Sequence, residues 1–218
     1  MNNNFVITVA RGFGSGGKEI ASKVAEKLGI HCYENRILTL ASNLSGIEES
    51  TFSDVNEKIR DKTKTSFSSF LSKLPRTKEY ITRNERFISD DKLFDYQKEI
   101  INQLADTESC VIVGKCADWI LKDRQNVISI YVEAPRPFCV QRTMDNMNVS
   151  SEVANNTIEK TDQYRALYYS YYTSGNYWTN PVNYDITINS DRIGIDMSVE
   201  LILDYVKIKF PHLLSLPN

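Results

Sequence analysis

Histidine is scarce in this chain of 218 residues, with only His31 and His212, and the four cysteines Cys32, Cys110, Cys116 and Cys139 form no CxxC pair. That scatter excludes the short, repeated ligand spacings of a structural zinc site and the framework of a disulfide-stapled domain. Long apolar runs are missing too. Met1 leads directly into Asn2, Asn3 and Asn4, and nowhere do eighteen apolar residues follow one another. Neither a secretory leader nor a membrane span is expected, so the chain reads as soluble and cytoplasmic, with no membrane partner. Charge of one sign is also lacking, since 26 Lys and Arg stand against 28 Asp and Glu for a formal net charge of −2. Without a global positive field a nucleic acid polymer is not an expected partner, whereas a small phosphorylated ligand needs only a local pocket. The hydrophobic share of 41% is enough for one core, or one core with an insertion.

The patterning alternates strands and helices. Phe5 to Ala10, FVITVA, is a β-branched apolar run suited to a strand buried on both faces. Ile20, Ala21, Val24, Ala25 and Leu28 then recur at helical spacing until Gly29 stops them. Ile30 to Tyr33 is a short second strand, and the next apolar strand is Cys110 to Gly114, CVIVG. Between them, Ile37 to Leu44 and Leu93 to Leu104 have helical periodicity, and Thr63 to Pro75 reads as a mobile connection. Strands Val127 to Val132 and Tyr184 to Asn189 flank helical sequence from Pro135 to Tyr172, and an amphipathic helix covers Ile195 to Ile208. Five strands interleaved with helices predict a three-layer α/β fold on a parallel sheet.

Between the first strand and helix, Arg11 to Glu19 spells RGFGSGGKE, in which Gly12-x4-Gly17-Lys18 fits seven of the eight positions of the P-loop pattern GxxxxGK[ST]. Gly12, Gly14, Ser15, Gly16, Gly17, Lys18 and Glu19 are thus the candidate ATP-binding residues. Glycines let successive N–H groups turn toward a phosphate, and the helix N-terminus adds partial positive charge. Lys18 is the candidate cation for the β- and γ-phosphates, while Glu19 stands where a hydroxyl usually reaches magnesium. The same letters contain Gly12-x-Gly14-x-x-Gly17, the dinucleotide fingerprint, with Glu34 as a possible ribose-binding acid. The long helical excursion before the third strand favours a kinase with an acceptor-binding insertion over that alternative. A third possibility is a turn that merely lets strand and helix pack closely.

A second constellation lies downstream. Gly114 ends a buried strand and sets Lys115 and Asp118 at its carboxyl edge, where open α/β sheets bind ligands. Arg142 falls on a later helix, and Lys160, Asp162 and Arg165 lie within six residues of another. Asp162 and Arg165 share a helical face, which an intrahelical ion pair would also explain. Tyr168, Tyr169, Tyr171 and Tyr172 follow; core packing suits them better than nucleobase stacking. Nine Lys and Arg between Lys58 and Arg86, against three acids, could cover an acceptor phosphate or form a solvated face.

Taken together, ITVARGFGSGGKEIASKVAEKLG, VIVGKCADWIL, IEKTDQYRALYYSYYT and YDITINSDRIGID resemble the cytidylate kinase-like family, a branch of the P-loop nucleoside monophosphate kinases. The resemblance implies a five-stranded parallel sheet, ATP and magnesium as cofactors, a helical acceptor-binding insertion at 35–107 and a lid at 145–175. By similarity, Lys115 and Asp118 correspond to a Gly-Arg-Asp region facing the acceptor, and Asp162 and Arg165 to an Asp-x-x-Arg that contacts its ribose and phosphates. Lys18, Arg142 and Arg165 are the expected catalytic residues, and a nucleoside monophosphate such as CMP the expected acceptor. No magnesium ligand is assigned. The chain departs from the pattern in two places. An ungapped alignment of the first helix puts Gly17, not Lys18, on the kinase lysine, and Lys115 stands where an arginine would grip phosphate with two hydrogen bonds. A nucleotide sensor without catalysis is the alternative that these departures leave open.

Overall fold

The computed structural model describes residues 4–37, 39–40 and 90–211. Parallel pairing needs both faces of a strand covered, which is why the three innermost strands are almost wholly apolar. They are β1 (Val6–Arg11), β3 (Cys110–Val113) and β4 (Val127–Glu133), and with β2 (His31–Tyr33) and β5 (Ile186–Asn189) they form one sheet ordered β2-β3-β1-β4-β5. Every pairing is parallel, with Val6 beside both Cys110 and Val127, His31 beside Cys110, and Ile130 beside Ile186. The predicted five-stranded parallel α/β fold is therefore present. A dinucleotide-binding sheet would set β2 next to β1; here β3 occupies that place, which removes the topological basis of the dinucleotide alternative.

Helix α1 (Gly17–Leu28) follows β1, and Gly29 ends it at φ 64°, a left-handed C-terminal position that glycine adopts without a Cβ penalty. Between β2 and β3, the described residues 36–37 and 39–40 are helical, and helix α2 covers Asp90–Thr107. The short α3 (Ala117–Ile120) follows β3; α4 (Arg136–Met147) and α5 (Ser151–Tyr172) follow β4; α6 (Ser190–Ile193) and α7 (Ile195–Lys209) follow β5. The helical stretch read as continuous from 135 to 172 is broken at Asn148, which has φ 52°, before Ser150 caps α5 by accepting the Val153 N–H. Such a serine satisfies one of the donors that every helix start leaves without an intrahelical partner.

One face of the sheet buries Ile7, Val9, Ile128 and Ile130 against Ile20 and Val24 of α1 and Val199, Ile202 and Val206 of α7. Phe5 and Phe210 close this layer with ring centroids 5.5 Å apart. Lys23 reaches Asp196 at 2.9 Å, and Lys27 pairs with Glu200, so α1 and α7 are also matched in charge along their rims. The chain divides into two compact units, residues 1–35 with 101–218, and 36–100. The first holds the whole sheet. Most of the second, including the expected loop at 63–75 and the basic run at 58–86, lies outside the described residues, as does most of the expected 35–107 insertion. Among the described residues no helix is long and apolar enough to cross a membrane.

Candidate functional site

The strand order reverses direction at β1 and β3, and ligands of open α/β sheets bind at the carboxyl ends beside such a switch. The glycine loop lies there. Gly12 donates its N–H to Val132 O at 3.0 Å and so extends the β1–β4 ladder by one residue. The chain then turns sharply through Gly14 and Gly16, at φ 81° and 82°. Gly16 caps α1, whose first regular bond runs from Ile20 N–H to Gly16 O at 3.0 Å. Gly17 is consequently the first helical residue and Lys18 the second. Ser15 is fully buried, its hydroxyl donating to Gly12 O at 2.9 Å, and its own carbonyl accepts the hydroxyl of Ser190. The loop is thus braced from inside and from the end of β5.

Its open side is met by α5. Asp162 accepts the Phe13 N–H at 3.0 and 3.3 Å through its two carboxylate oxygens, and also takes Arg165 Nη1 at 3.0 Å. Arg165 Nη1 donates to Arg11 O at 2.9 Å as well, and its guanidinium stands 5.7 Å from the centre of the Phe13 ring. Burial pushes the Asp162 carboxyl up and the Arg165 guanidinium down, each partly offset by the other. The i, i+3 pair expected on one helical face is present, and it is fastened to the loop backbone.

A cavity of about 550 Å³ opens over this loop. The charged residues lining it are Arg11, Lys18, Arg142 and Arg165, against Glu19 and Glu34. Glu34 is shared between Arg11 Nη2 at 3.2 Å and Lys18 Nζ at 2.6 Å. Glu19 is shared between Arg142 at 2.9 Å and Lys23 at 3.3 Å, and its hydrogen bond with Arg142 holds it below the ordinary carboxylate range. Pairing leaves Arg142 Nε buried without a hydrogen-bond partner. Four cations facing two acids give the cavity a positive surplus, the condition for holding an anion of two or more charges.

At the end of β3, Gly114, Lys115 and Cys116 follow one another at φ 74°, 60° and 54°. Left-handed non-glycine residues are strained, and such strain gathers at functional sites. Burial, and then the charge of Arg11, lowers the Lys115 ammonium to about 8; Arg11 itself is lowered to about 10, by burial and then by Arg165. Lys115 thus adjoins the cationic group without being one of the residues that line the cavity.

Asp118 points elsewhere. Its Oδ2 accepts the Tyr169 hydroxyl at 2.6 Å, burial raises its carboxyl to about 6, and it lines a separate cavity of about 360 Å³ that also includes Asp185 and Lys209. The structure therefore gathers Lys18, Glu19, Glu34, Arg142 and Arg165 at the glycine loop, sets Asp162 against the loop backbone, and places Asp118 apart from them. Tyr172 meets both Tyr168 and Tyr171 edge-on, with ring centroids 4.8 Å apart in each pair.

Two residues not singled out from sequence stand at the glycine loop. Arg11, the last residue of β1, is one. The other is Glu133 at the end of β4, where it accepts the Ala134 N–H at 3.0 Å and the hydroxyl of Tyr131. A side chain at Gly12 would begin 2.3 Å from Glu133 Oε1, so the Glu133 carboxylate lies directly against the loop backbone. The available signal was positional, a charged residue ending a buried parallel strand. Among the described residues no group of three or more His, Cys, Asp or Glu could enclose a metal ion.

Comparison with known proteins agrees with this geometry. The sequence profile of the cytidylate kinase-like family matches residues 6–192. The crystal structure of an uncharacterized protein from Eubacterium ventriosum superposes with a TM-score of 0.67 at 25% identity, covering 94% of this chain and 99% of that one. A gluconokinase from Sinorhizobium meliloti (TM-score 0.52, 11% identity, 99% and 100% covered) and a sugar kinase from Janibacter (0.50, 14%, 95% and 97%) share the fold. No curated protein matches. The chain belongs to the cytidylate kinase-like family, and its family and fold support ATP-dependent phosphoryl transfer as the general class of reaction.

Proposed function

We propose that this protein transfers the γ-phosphoryl group of ATP to a small phosphorylated acceptor, with a nucleoside monophosphate such as CMP the first candidate. The observation that carries the reading is the cavity over the loop, with four cations against two acids and the N-terminus of α1 at its floor. In phosphoryl transfer the protein chiefly positions the reactants and stabilises spread negative charge. The N–H groups at the start of α1 hold donor phosphate oxygens. Arg142 and Arg165, from two helices that flank the loop, neutralise the transferring group and the acceptor phosphate. Lys115, behind Arg11, adds to the same positive field. Asp162 and Arg165 belong to the 145–175 stretch proposed as the lid, whose closure would exclude water that otherwise hydrolyses ATP. Magnesium, when bound, supplies further neutralisation of the phosphates, and Glu34 and Glu133 are the residues suited to hold it through its water.

A coupled ADP-release assay over the nucleoside monophosphates, with ATP and magnesium, tests the proposal. CMP is expected to give the highest turnover, and ATP, unlike NAD, to raise the melting temperature by mass action. Stabilisation by ATP without turnover on any acceptor would support the second reading, a nucleotide sensor. That reading draws on Gly17 and Lys18 at the first two helical positions, where the motif has a lysine and a hydroxyl. The absence of both binding and turnover would refute the two together.

A further inference from the structure

In the P-loop pattern the lysine follows the last loop glycine directly, at the first position of the helix. Here Gly16 is the left-handed cap and Gly17 holds that position. Lys18 comes one residue later, about 100° further round the helix axis. Its side chain is 67% exposed and its ammonium is tied to Glu34 at 2.6 Å. The space in which a side chain at residue 17 would start is taken. A Cβ built on Gly17 would lie 2.5 Å from Arg11 Cβ and 3.2 Å from Arg11 Cγ, with Val132 Cβ at 3.1 Å on the other side.

We infer that Arg11, projecting from the end of β1 through the place vacated at Gly17, supplies the donor-phosphate cation of this site, and that Lys18 serves instead to hold Glu34. The inference rests on the donor reading above and assigns its central charge. Three further observations agree with it. Arg11 lines the cavity and is only 17% exposed. One end of its guanidinium lies 2.5 Å from where a Cβ on Gly114 would begin, so it packs directly against the left-handed turn that ends β3. Its backbone carbonyl is bonded by Arg165, so the strand end that carries it is fixed from above. Arg11 and a lysine at residue 17 could not coexist, because their first side-chain atoms would overlap. The glycine at 17 and the arginine at 11 are one device. A guanidinium in this place offers two parallel donors to a phosphate and keeps its charge at every physiological pH.

Calorimetric binding of ATP, with and without magnesium, to the full chain and to Arg11→Met, Lys18→Ala and Glu34→Gln tests the assignment. Arg11→Met is expected to weaken ATP about 100-fold, and Lys18→Ala less than about 5-fold. Glu34→Gln separates a phosphate ligand from a structural partner. If Arg11 served only to hold Glu34, the two losses would match in the titrations without magnesium; as a phosphate ligand, Arg11 freed from Glu34 binds magnesium-free ATP at least as tightly as before, an arm in which any hold of Glu34 on magnesium plays no part. Lys18 is exposed, so its variant gives an interpretable answer even if Arg11→Met unfolds. A 100-fold loss in Lys18→Ala, or affinity retained in Arg11→Met, overturns the assignment while leaving the donor reading standing. Failure of the unaltered protein to bind ATP overturns both.

Discussion

Removal of Arg165 separates a surface ion pair from a built site more sharply than any other single change. An exposed i, i+3 pair is worth about 0.2–0.5 kcal/mol. Arg165 is only 19% exposed, however, and its Nη1 serves both Asp162 at 3.0 Å and the Arg11 carbonyl at 2.9 Å. Hydrogen bonds to charged groups contribute about 1.5–3 kcal/mol each when net worth is counted. Asp162 keeps the Phe13 N–H, and its carboxyl, already raised by burial, can take a proton when its partner leaves. That relief brings the expected loss for Arg165→Ala to about 2 kcal/mol, a fall of about 4–8 °C in Tm for a chain of this size. The same substitution removes a cation from the wall of the phosphate cavity, so kcat/KM for the acceptor should fall about 100-fold, equivalent to about 2.7 kcal/mol. Differential scanning calorimetry and the coupled assay, run on one preparation, read both quantities. A Tm within 1 °C of the parent together with unchanged kcat/KM would refute the reasoning. A large fall in Tm with unchanged kcat/KM would leave Arg165 as a brace for the loop and nothing more.

Gly14→Ala should destabilise the protein by about 3 kcal/mol or more and abolish nucleotide-induced stabilisation, because the new methyl group would lie 2.6 Å from Cys139 O and 3.0 Å from Cys139 Cα at a left-handed φ of 81°. A melting temperature equal to the parent's would show that the loop can shift freely. Lys115 has a folded-state value of about 8 against an ordinary 10.5, so between these limits the unfolded chain binds more protons than the folded one. Stability should therefore carry a cost below about pH 8 that is relieved as pH rises toward 10.5. Comparing urea midpoints of the parent and Lys115→Met across that range isolates the contribution, and parallel curves would contradict it.

The fold was legible because its strongest signals are local. FVITVA and CVIVG are apolar runs of strand length, and each lies on a strand covered on both faces. The break at Asn148 was also written in the sequence, as an asparagine followed closely by a serine able to cap a helix, though periodicity alone ran across it. The register of the glycine loop could not be read in this way. Seven matching letters fit two alignments, and the choice between them depends on which glycine adopts a left-handed conformation, here Gly16. Asp118 illustrates a different limit. Sequence position set it near the carboxyl edge of β3, but the direction of its carboxylate is decided by Tyr169, 51 residues away. Arg11 and Glu133 were hidden for the same reason, since a charged residue at a strand end acquires its meaning only from the neighbouring strand or loop.

The bond from Ser190 to the Ser15 carbonyl spans 175 residues of chain, and Ile195 Cδ1 lies only 2.4 Å from where a side chain on Gly16 would begin. Contacts of such long sequence separation form late, after the costly closure of the intervening chain. The glycine loop precedes these segments in chain order, yet it must wait for the end of β5 and the start of α7 before it is braced. A chain cut before Ser190 would carry every loop residue and all five strands but not this brace, so its glycine loop should be less ordered than in the longer chain.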